Sequence, residues 1–191
     1  MEAIRAIQKH VVLGMSERTI GETVEHILIR AGLTPYFNIV LFGDDAANVH
    51  GGVDESRQLQ KCELILIDVG ICSSTSQKER ELIEGALFHG YASDITRTFF
   101  PGREDPEGCS TTFISRDTPS IDLKDLWQVV YDAQTASIEV LTTEHTCAEV
   151  DLAARKFIED KSLGKYFKHR LGHSIGLEGH ERYTSHFNKE T

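Results

Sequence analysis

Two aspartates of this chain stand where a carboxylate could take part in chemistry. Asp68 closes the apolar run LILID, and Asp94 opens the alternating stretch DITRTFF. A carboxylate that leaves an apolar strand is costly to bury alone, so it needs a cation, several hydrogen-bond donors or water. Taken singly, each aspartate is more simply explained as a residue that caps a turn, and Asp94 has Arg97 nearby as an ion-pair partner. Their chemistry depends on what the fold brings beside them.

A histidine-rich segment strengthens the case for a site. The stretch HRLGHSIGLEGHE places His169, His173 and His180 among three glycines. Glycine lets the backbone approach a ligand closely, and imidazole is a common metal ligand and proton carrier near neutral pH. A single histidine would usually be a surface or core residue. Three of them close together, with Glu178 and Glu181 alongside, predict a functional site.

Strands are expected to position the aspartates. FNIVLFG (37–43) and ELILIDVG (63–70) are short, apolar and rich in β-branched residues, which predicts two partly buried strands. DITRTFF (94–100) alternates with a period of two and predicts a third strand that begins at Asp94. Residues 101–121 contain three prolines and two glycines, which is typical of a long loop.

Helices are expected on both sides of these strands in the chain. Apolar residues at helical spacing predict two helices before residue 33 and two more between residues 123 and 158. Capping-box patterns mark two helix starts, at Thr19 with Glu22 and at Thr146 with Glu149. Because helices and strands segregate in blocks, the sequence predicts an α+β fold with a mainly antiparallel sheet rather than a doubly wound parallel one.

The composition limits the class of protein. Of the 191 residues, 40% are apolar and 26% are charged, which predicts one compact globular domain. With 20 Lys and Arg against 30 Asp and Glu, the net charge of −10 disfavours nucleic acid as a partner and suits cations. The start MEAIRAIQKHVV has no continuous apolar stretch, so we expect a cytoplasmic protein with no membrane partner. The four cysteines lack CxxC spacing and are expected to be reduced.

Four motifs in order carry a family resemblance. FGDDAANVHGG, IDVG, GYASDITRTF and HRLGHSIGLEGHE resemble the motifs of the M24 metallopeptidases, and most of all the Xaa-Pro branch of aminopeptidase P and prolidase. The resemblance implies a pita-bread fold with a curved, mainly antiparallel sheet and flanking helices. It also implies hydrolysis of the bond between an N-terminal residue and proline, so the expected partner is a peptide with proline at its second position. A homodimer is expected for the complete protein.

The resemblance assigns roles to five residues of this chain. Asp68 resembles the bidentate first ligand of a two-metal site, Asp94 the bridging ligand, and His173 the third ligand. His50 and His180 resemble the two histidines that hold the substrate and stabilise the tetrahedral intermediate. Oxygen ligands with one imidazole suit two Mn²⁺ ions, with Co²⁺ or Zn²⁺ as alternatives. Such ions would activate a bridging water and polarise the scissile carbonyl.

Two stretches interrupt the resemblance. Residues 71–85, ICSSTSQKERELIEG, separate Asp68 from Asp94 by more than the family pattern does, and without them the sequence reads as an uninterrupted hairpin. This segment is interpreted as an insertion, with three origins open: a surface insertion with its own short helix, a functional loop over the site, or an unspliced intron read in frame. The loop 101–121 is also longer than the family usually has.

The last residues depart from the family pattern. After Glu181 the pattern continues through two further strands that carry two glutamate ligands, whereas residues 182–191, RYTSHFNKET, contain no such motif. Residues 1–191 are therefore expected to form a partial M24 catalytic domain with weakened metal binding and little or no peptidase activity. Two other functions stay open: a non-catalytic M24-fold module that binds peptides or proteins, and a methionine aminopeptidase-like enzyme.

Overall fold

The structure, a computed structural model, describes seven stretches of the chain: residues 1–48, 50–51, 56–72, 91–101, 112–113, 121–181 and 187. The described chain divides into two compact units. The first comprises Met1–Cys109 with Ile175–Gly179, and the second comprises Ser110–Ser174 with His180–Thr191. Most of the expected insertion 71–85, of the loop 101–121 and of the tail 182–191 lies outside the described residues.

The first unit contains two helices and a three-stranded antiparallel sheet. Its strands pair in the order β1-β2-β3, which confirms the predicted antiparallel arrangement. The strand β2 continues to Cys72. Ile71 and Cys72, which the sequence predicts as the start of the insertion 71–85, therefore belong to this strand. The elements of this unit are α1 (Glu2–His10), α2 (Glu17–Arg30), β1 (Thr34–Phe42), a 3-10 helix (Gly43–Ala47), β2 (Ile65–Cys72) and β3 (Ala92–Phe99).

The core of the first unit lies on one face of this sheet, against α1 and α2. Along β2, Ile65 and Ile67 are fully buried and Val69 is nearly so, because alternate residues of a strand point to the same side. The residues between them, Leu66 and Asp68, therefore face away from this core. The remaining core residues are Ala3, Ile4, Ile7, Val11, Ile20, Val24, Leu28, Val40, Phe42 and Leu59.

The start of α2 corrects one prediction. Ser16, not Thr19, is the N-cap: its backbone is extended, and its hydroxyl accepts a hydrogen bond from the Thr19 N–H at 3.1 Å. The buried Glu17 carboxylate accepts a hydrogen bond from the Phe42 N–H at 2.8 Å and ties the helix to the end of β1. The apolar residues at helical spacing begin only at Ile20, so the sequence pattern does not indicate the first turn of the helix.

The second unit is mainly helical, and its helices agree with the predictions. The helices Leu123–Val140 and Cys147–Asp160 lie where the sequence predicts two helices, and Thr146 and Glu149 form the predicted reciprocal capping box of the second. The elements of this unit are β4 (Thr112–Phe113), β5 (Ile121–Asp122), α3 (Leu123–Val140), α4 (Cys147–Asp160) and a 3-10 helix (Gly164–Tyr166).

The sequence from Tyr166 onward starts like a further strand, but the segment that follows these helices does not form one. Within residues 167–181 the structure has only an isolated bridge between Gly172 and Phe187 and a series of bends. The physical reason is that side chains of α4 occupy backbone groups of this segment, through the Arg155 guanidinium and the Asp151 carboxylate. These groups are then not available for a neighbouring strand.

The state of the cysteines and the character of the helices bear on two further predictions. Cys62 is disulfide-bonded and Cys147 is a free thiol, so the expectation that all four cysteines are reduced is wrong for Cys62. Spacing in the sequence does not report which cysteines a fold brings together, and this is why the pattern misled. Among the described residues no helix combines the length and the apolar character that crossing a membrane requires.

Candidate metal centre

The two aspartates lie on one face of the β2–β3 hairpin. In its register Asp68 is opposite Thr96, and Gly70 is opposite Asp94. Opposite residues share a face, as do residues two apart along a strand, so Asp68 and Asp94 are diagonal neighbours on the same face. Their carboxyl groups are close enough to share a hydrogen bond when one of them is protonated and to repel each other when both are ionised. The pairing expected across the interrupted hairpin is therefore formed.

The surroundings of Asp68 disfavour its ionised form. Burial is the largest cause that raises the pKa of the Asp68 carboxyl above its ordinary value. The Thr96 hydroxyl donates a hydrogen bond to Asp68 Oδ1 at 2.7 Å and opposes this shift. The charge of Asp94 and a hydrogen bond with its carboxyl add to the rise in the pKa. Two acidic groups that are partly withdrawn from water suit a divalent cation, which balances both charges.

An aromatic ring lies over Gly70, on the face of the hairpin that carries the two carboxylates. Phe37 of β1 is opposite Gly70, and a Cβ atom added at Gly70 would lie 2.2 Å from Phe37 Cε1. The ring therefore occupies the space that any side chain at residue 70 would need. It gives the face that carries Asp68 and Asp94 an apolar wall next to the acidic pair.

The loop that carries His50 packs next to the strand that pairs with Asp68. Gly51 has a positive φ of 68°, and a Cβ added there would lie 3.2 Å from Ile39 Cγ2. Ile39 is the residue of β1 opposite Asp68. His50 itself is exposed and lines a groove of about 500 Å³ together with side chains of α2 that include Arg18 and Glu22.

The other two histidines of the expected site stack on each other in the second unit. The ring centroids of His173 and His180 are 3.9 Å apart, with 26° between the ring planes. His173 Nδ1 lies 3.0 Å from the carbonyl oxygen of Ser174. A carbonyl only accepts, so Nδ1 carries the proton and the neutral ring has its lone pair at Nε2. Metal-binding histidines are commonly oriented by such a second hydrogen bond.

The structure thus brings the expected residues together in two pairs. Asp68 and Asp94 belong to the first unit, and His173 and His180 belong to the second. Within the described stretches, no three or more His, Cys, Asp and Glu side chains form a group that could hold a metal ion. The donor types nevertheless fit a divalent ion, because two adjacent carboxylates and one oriented imidazole are the ligands that such ions prefer.

Several residues near these groups are not foreseen from the sequence. Thr96 and Phe37 contact the acidic face, and Asp151 with Arg155 contact the segment that leads to the histidines. A signal exists for Thr96, which lies two residues after Asp94 on an alternating strand and so shares its face. A signal also exists for Asp151 and Arg155, which are four residues apart on one helix face. The sequence carries no comparable signal for Phe37.

Comparison with known proteins places these motifs in a family. The sequence profile described as Metallopeptidase family M24 matches residues 1–78 and 83–191. The unmatched residues 79–82 lie within the expected insertion 71–85, and the match includes the tail 182–191. The limits of both segments, and of a single catalytic domain over residues 1–191, stay predictions.

Relatives and solved structures agree with this match. An uncharacterized peptidase of Schizosaccharomyces pombe is 41% identical over 194 residues, which cover 99% of this chain and 36% of the relative. The prolidase from Pyrococcus furiosus superimposes with a TM-score of 0.74 at 26% identity, covering 98% of this chain and 47% of that one. The Xaa-Pro dipeptidase from Bacillus anthracis gives a TM-score of 0.74 at 26% identity, covering 100% of this chain and 45% of that one.

The chain thus spans less than half the length of these relatives. Their likeness confirms the predicted fold class, a partial pita-bread domain of helices and an antiparallel sheet. The order of the four motifs, the antiparallel hairpin with its acidic pair and the match over nearly the whole chain agree with one another. The chain belongs to the M24 metallopeptidase family.

Proposed function

We propose that this chain is a metal-dependent peptidase-type domain, related to enzymes that act on the bond between an N-terminal residue and a following proline, and that in this chain metal binding is weakened and peptidase activity is little or none. Membership of the M24 family implies peptidase-type chemistry with divalent metal cofactors. Support for proline in the substrate comes from the motif spelling and from the likeness to a prolidase and an Xaa-Pro dipeptidase. The observation that carries the proposal is the contact between Asp68 and Asp94 on one face of the hairpin.

Each of the five site residues has a proposed role. Asp68, Asp94 and His173 hold the metal, as two Mn²⁺ ions in the complete site. When bound there, the cation supplies Lewis acidity that polarises a peptide carbonyl and makes a water molecule more acidic. His50 and His180 donate hydrogen bonds that orient the substrate and stabilise negative charge developing on its carbonyl oxygen. The complete protein is proposed to be a cytoplasmic homodimer.

The side chains around the acidic pair support these roles. The Thr96 hydroxyl orients the Asp68 carboxylate through its hydrogen bond at 2.7 Å. The Phe37 ring lies over Gly70 on the same face and offers an apolar surface on which the ring of a substrate proline would pack. The hydrogen bond from His173 Nδ1 to Ser174 leaves the lone pair of a neutral ring at Nε2, as ligation requires.

Metal binding is tested by the thermal stability of the chain. We expect Mn²⁺ to raise the melting temperature, because a ligand that binds only the folded state stabilises it. Asp68→Asn and Asp94→Asn should abolish this rise, whereas Asp44→Asn, a matched change of an exposed aspartate in the same unit, should leave it intact. An equal rise in Asp68→Asn and in the unchanged chain would show that the cation binds elsewhere.

Substrate turnover separates the enzyme from the second candidate, a non-catalytic peptide-binding module. That candidate is favoured by one observation: the described residues contain no assembled group of three metal-binding side chains. The chain is incubated with Mn²⁺ and either a tripeptide of the Xaa-Pro type or its Xaa-Ala counterpart. Chelator-sensitive release of the first residue from the proline peptide alone supports the enzyme, and it would contradict the expectation of little or no activity.

Peptide binding resolves the remaining case, in which no cleavage is found. Binding of the proline peptide that requires Mn²⁺ and is lost in Asp94→Asn supports a peptidase site with weakened metal binding. Peptide binding that is the same without metal and in Asp94→Asn supports the non-catalytic module and contradicts the proposed peptidase site. Isothermal titration calorimetry with the same two peptides measures both quantities.

A further inference from the structure

A buried ion pair on α4 is the starting point. Asp151 is fully buried, and Arg155, one helical turn later, holds it with two hydrogen bonds. Arg155 Nε donates to Oδ2 at 2.5 Å and Nη2 donates to Oδ1 at 3.1 Å. Such a fork fixes both side chains in one geometry. The other N–H groups of the Arg155 guanidinium and the other lone pairs of the Asp151 carboxylate therefore point in a fixed direction.

These groups point toward the chain segment that leads to His173. Arg155 Nη1 donates to the carbonyl of Phe167 at 2.9 Å, and Nη2 donates to the carbonyl of His169 at 2.6 Å. Asp151 Oδ1 accepts the N–H of Leu171 at 2.8 Å. The three backbone groups come from alternate residues of the segment. Two side chains of a helix thus hold these groups in the way that a neighbouring strand would.

Further contacts hold the segment on the same helix and at its far end. The Arg155 guanidinium lies 4.5 Å from the centre of the Phe167 ring, a favourable cation–π distance. Phe187 accepts a hydrogen bond from the Leu171 N–H at 3.0 Å and donates one to the Gly172 carbonyl at 3.2 Å. The backbone is therefore fixed up to the residue before His173.

His173 is the first residue after the segment that these hydrogen bonds hold. Its ring is oriented by the hydrogen bond to Ser174 and by the stack on His180, whose ring centroid is 3.9 Å away. A shift of the preceding backbone would move this ring directly. A buried ion pair is often no more stabilising than an apolar pair of similar volume. An apolar pair, however, could not hold the three backbone groups in place.

We infer that Asp151 and Arg155 are positioning residues, which fix segment 167–171 so that His173 takes its place against His180. The metal-ligand role of His173 belongs to the proposed function, and the consequence for metal affinity rests on it. The placement of the His173 ring does not depend on that role. The inference therefore has one readout with metal and one without.

The variants separate charge from geometry. Arg155→Lys keeps a cation beside Asp151 but removes the planar fork that reaches both carbonyls. Arg155→Gln removes the charge as well, and its matched control is Lys156→Gln, which removes a charge from the next, exposed residue of α4. Circular dichroism and melting curves establish which variants fold. If Arg155→Gln does not fold, the test relies on Arg155→Lys.

The first readout is the imidazole signals of the metal-free protein in ¹H–¹⁵N spectra. We expect the unchanged chain and Lys156→Gln to show His173 protonated at Nδ1 and shifted by the ring of His180. Folded Arg155→Lys and Arg155→Gln should lose this ring-current shift. If a folded Arg155 variant keeps the His173 and His180 signals of the unchanged chain, the inference is overturned.

The second readout is Mn²⁺ affinity, measured on the same samples. Changes to groups that orient a metal ligand usually weaken binding about 10- to 100-fold, and we expect a loss in this range for both Arg155 variants and none for Lys156→Gln. Equal Mn²⁺ affinity in a folded Arg155 variant and the unchanged chain also overturns the inference. If the unchanged chain binds no Mn²⁺ the proposed function fails, and the imidazole signals still decide the positioning role.

Discussion

Gly70 shows how one missing side chain shapes the acidic face. The Phe37 ring fills the space above Gly70, two residues after Asp68 on the same face of the strand, where no side chain of residue 70 could fit. The ring then covers residue 70 on the face that carries Asp68 and Asp94. A methyl group at residue 70 would have to displace the ring.

We predict that Gly70→Ala destabilises the chain by about 1–3 kcal/mol, the usual cost of inserting a group into a packed site. The displaced Phe37 ring should also weaken Mn²⁺ binding. Gly21→Ala is the matched control: it lies within α2, where the new Cβ would be 3.5 Å from Asn38 Nδ2, an ordinary contact. Alanine there should raise the stability by about 0.5–1 kcal/mol. Urea unfolding measures both changes, and equal stability of Gly70→Ala and the unchanged chain would contradict the first.

The site residues differ in how far the sequence could predict them. Asp68 and Asp94 could be predicted, because each lies on a recognisable strand and antiparallel pairing brings such strands together. The spacing of Asp151 and Arg155 signals an ion pair but not its burial, because a charged residue in a helix is usually solvent-exposed, and only the structure shows Asp151 fully buried. The contact of His173 with His180 depends on the path of an irregular segment, which no periodicity reports.

At the scale of elements, capping explains which helix starts could be predicted. Both caps use a hydroxyl, from Ser16 for α2 and from Thr146 for α4. The box at Thr146 could be predicted because Glu149 stands three residues later, where its carboxylate accepts a hydrogen bond from the Thr146 N–H. The start of α2 was misplaced because its first turn includes Glu17, a buried charged residue that breaks the apolar pattern.

We predict that Thr146→Ala lowers the free energy of unfolding by about 1 kcal/mol, since it removes the acceptor for the Glu149 N–H. Thr135→Ala, at an exposed position inside α3, is the control. It should leave stability unchanged or raise it slightly, because alanine is the better helix former. Thermal unfolding of the two variants compares them directly, and an equal effect in both would contradict a specific capping role.

The same cap predicts a pH dependence. The pKa of Glu149 is lowered from its ordinary value of 4.5, first by the hydrogen bond from the Thr146 N–H and then by that from its hydroxyl. A lowered pKa in the folded state means that this contribution to stability is present above the ordinary value. It is lost as the pH falls through the lowered pKa of the folded state.

We therefore expect Glu149→Gln to be less stable than the unchanged chain at neutral pH and to converge with it in the acid range below the ordinary pKa. Urea unfolding between neutral pH and the acid limit of folding measures the difference. Glu144→Gln, an exposed change in the loop before α4, should show no such convergence. A constant difference between Glu149→Gln and the unchanged chain at all pH values would exclude ionisation as the cause.

At the scale of the whole molecule, a described surface of α3 is apolar and exposed. Trp127 and Tyr131 stack with their ring centroids 5.4 Å apart, and they remain 42% and 51% exposed. Ile138 continues the same helix face and is 62% exposed. Apolar surface of this kind favours association, whereas the net charge of −10 opposes it by repulsion.

We predict that the chain self-associates with rising concentration, and more strongly when salt screens the repulsion. Ile138→Lys should weaken this association, because it places a charge in the apolar surface. Glu139→Gln makes the same change in net charge at the next, exposed residue of the helix, which points away from that surface, and should weaken it less. Analytical ultracentrifugation at low and high salt measures the effect. A purely monomeric chain at every concentration would contradict the prediction.

The pairing of β2 with β3 also has a consequence for the order of folding. The two helices α3 and α4 are joined by residues 141–146 and contact each other closely, so they can associate early. The strands β2 and β3 pair from Cys72 with Ala92 onward, and must first close the chain between those residues. We therefore expect the two aspartates to meet late in folding, after the helices have associated. Relief of their repulsion by a bound cation should accordingly slow unfolding more than it speeds folding.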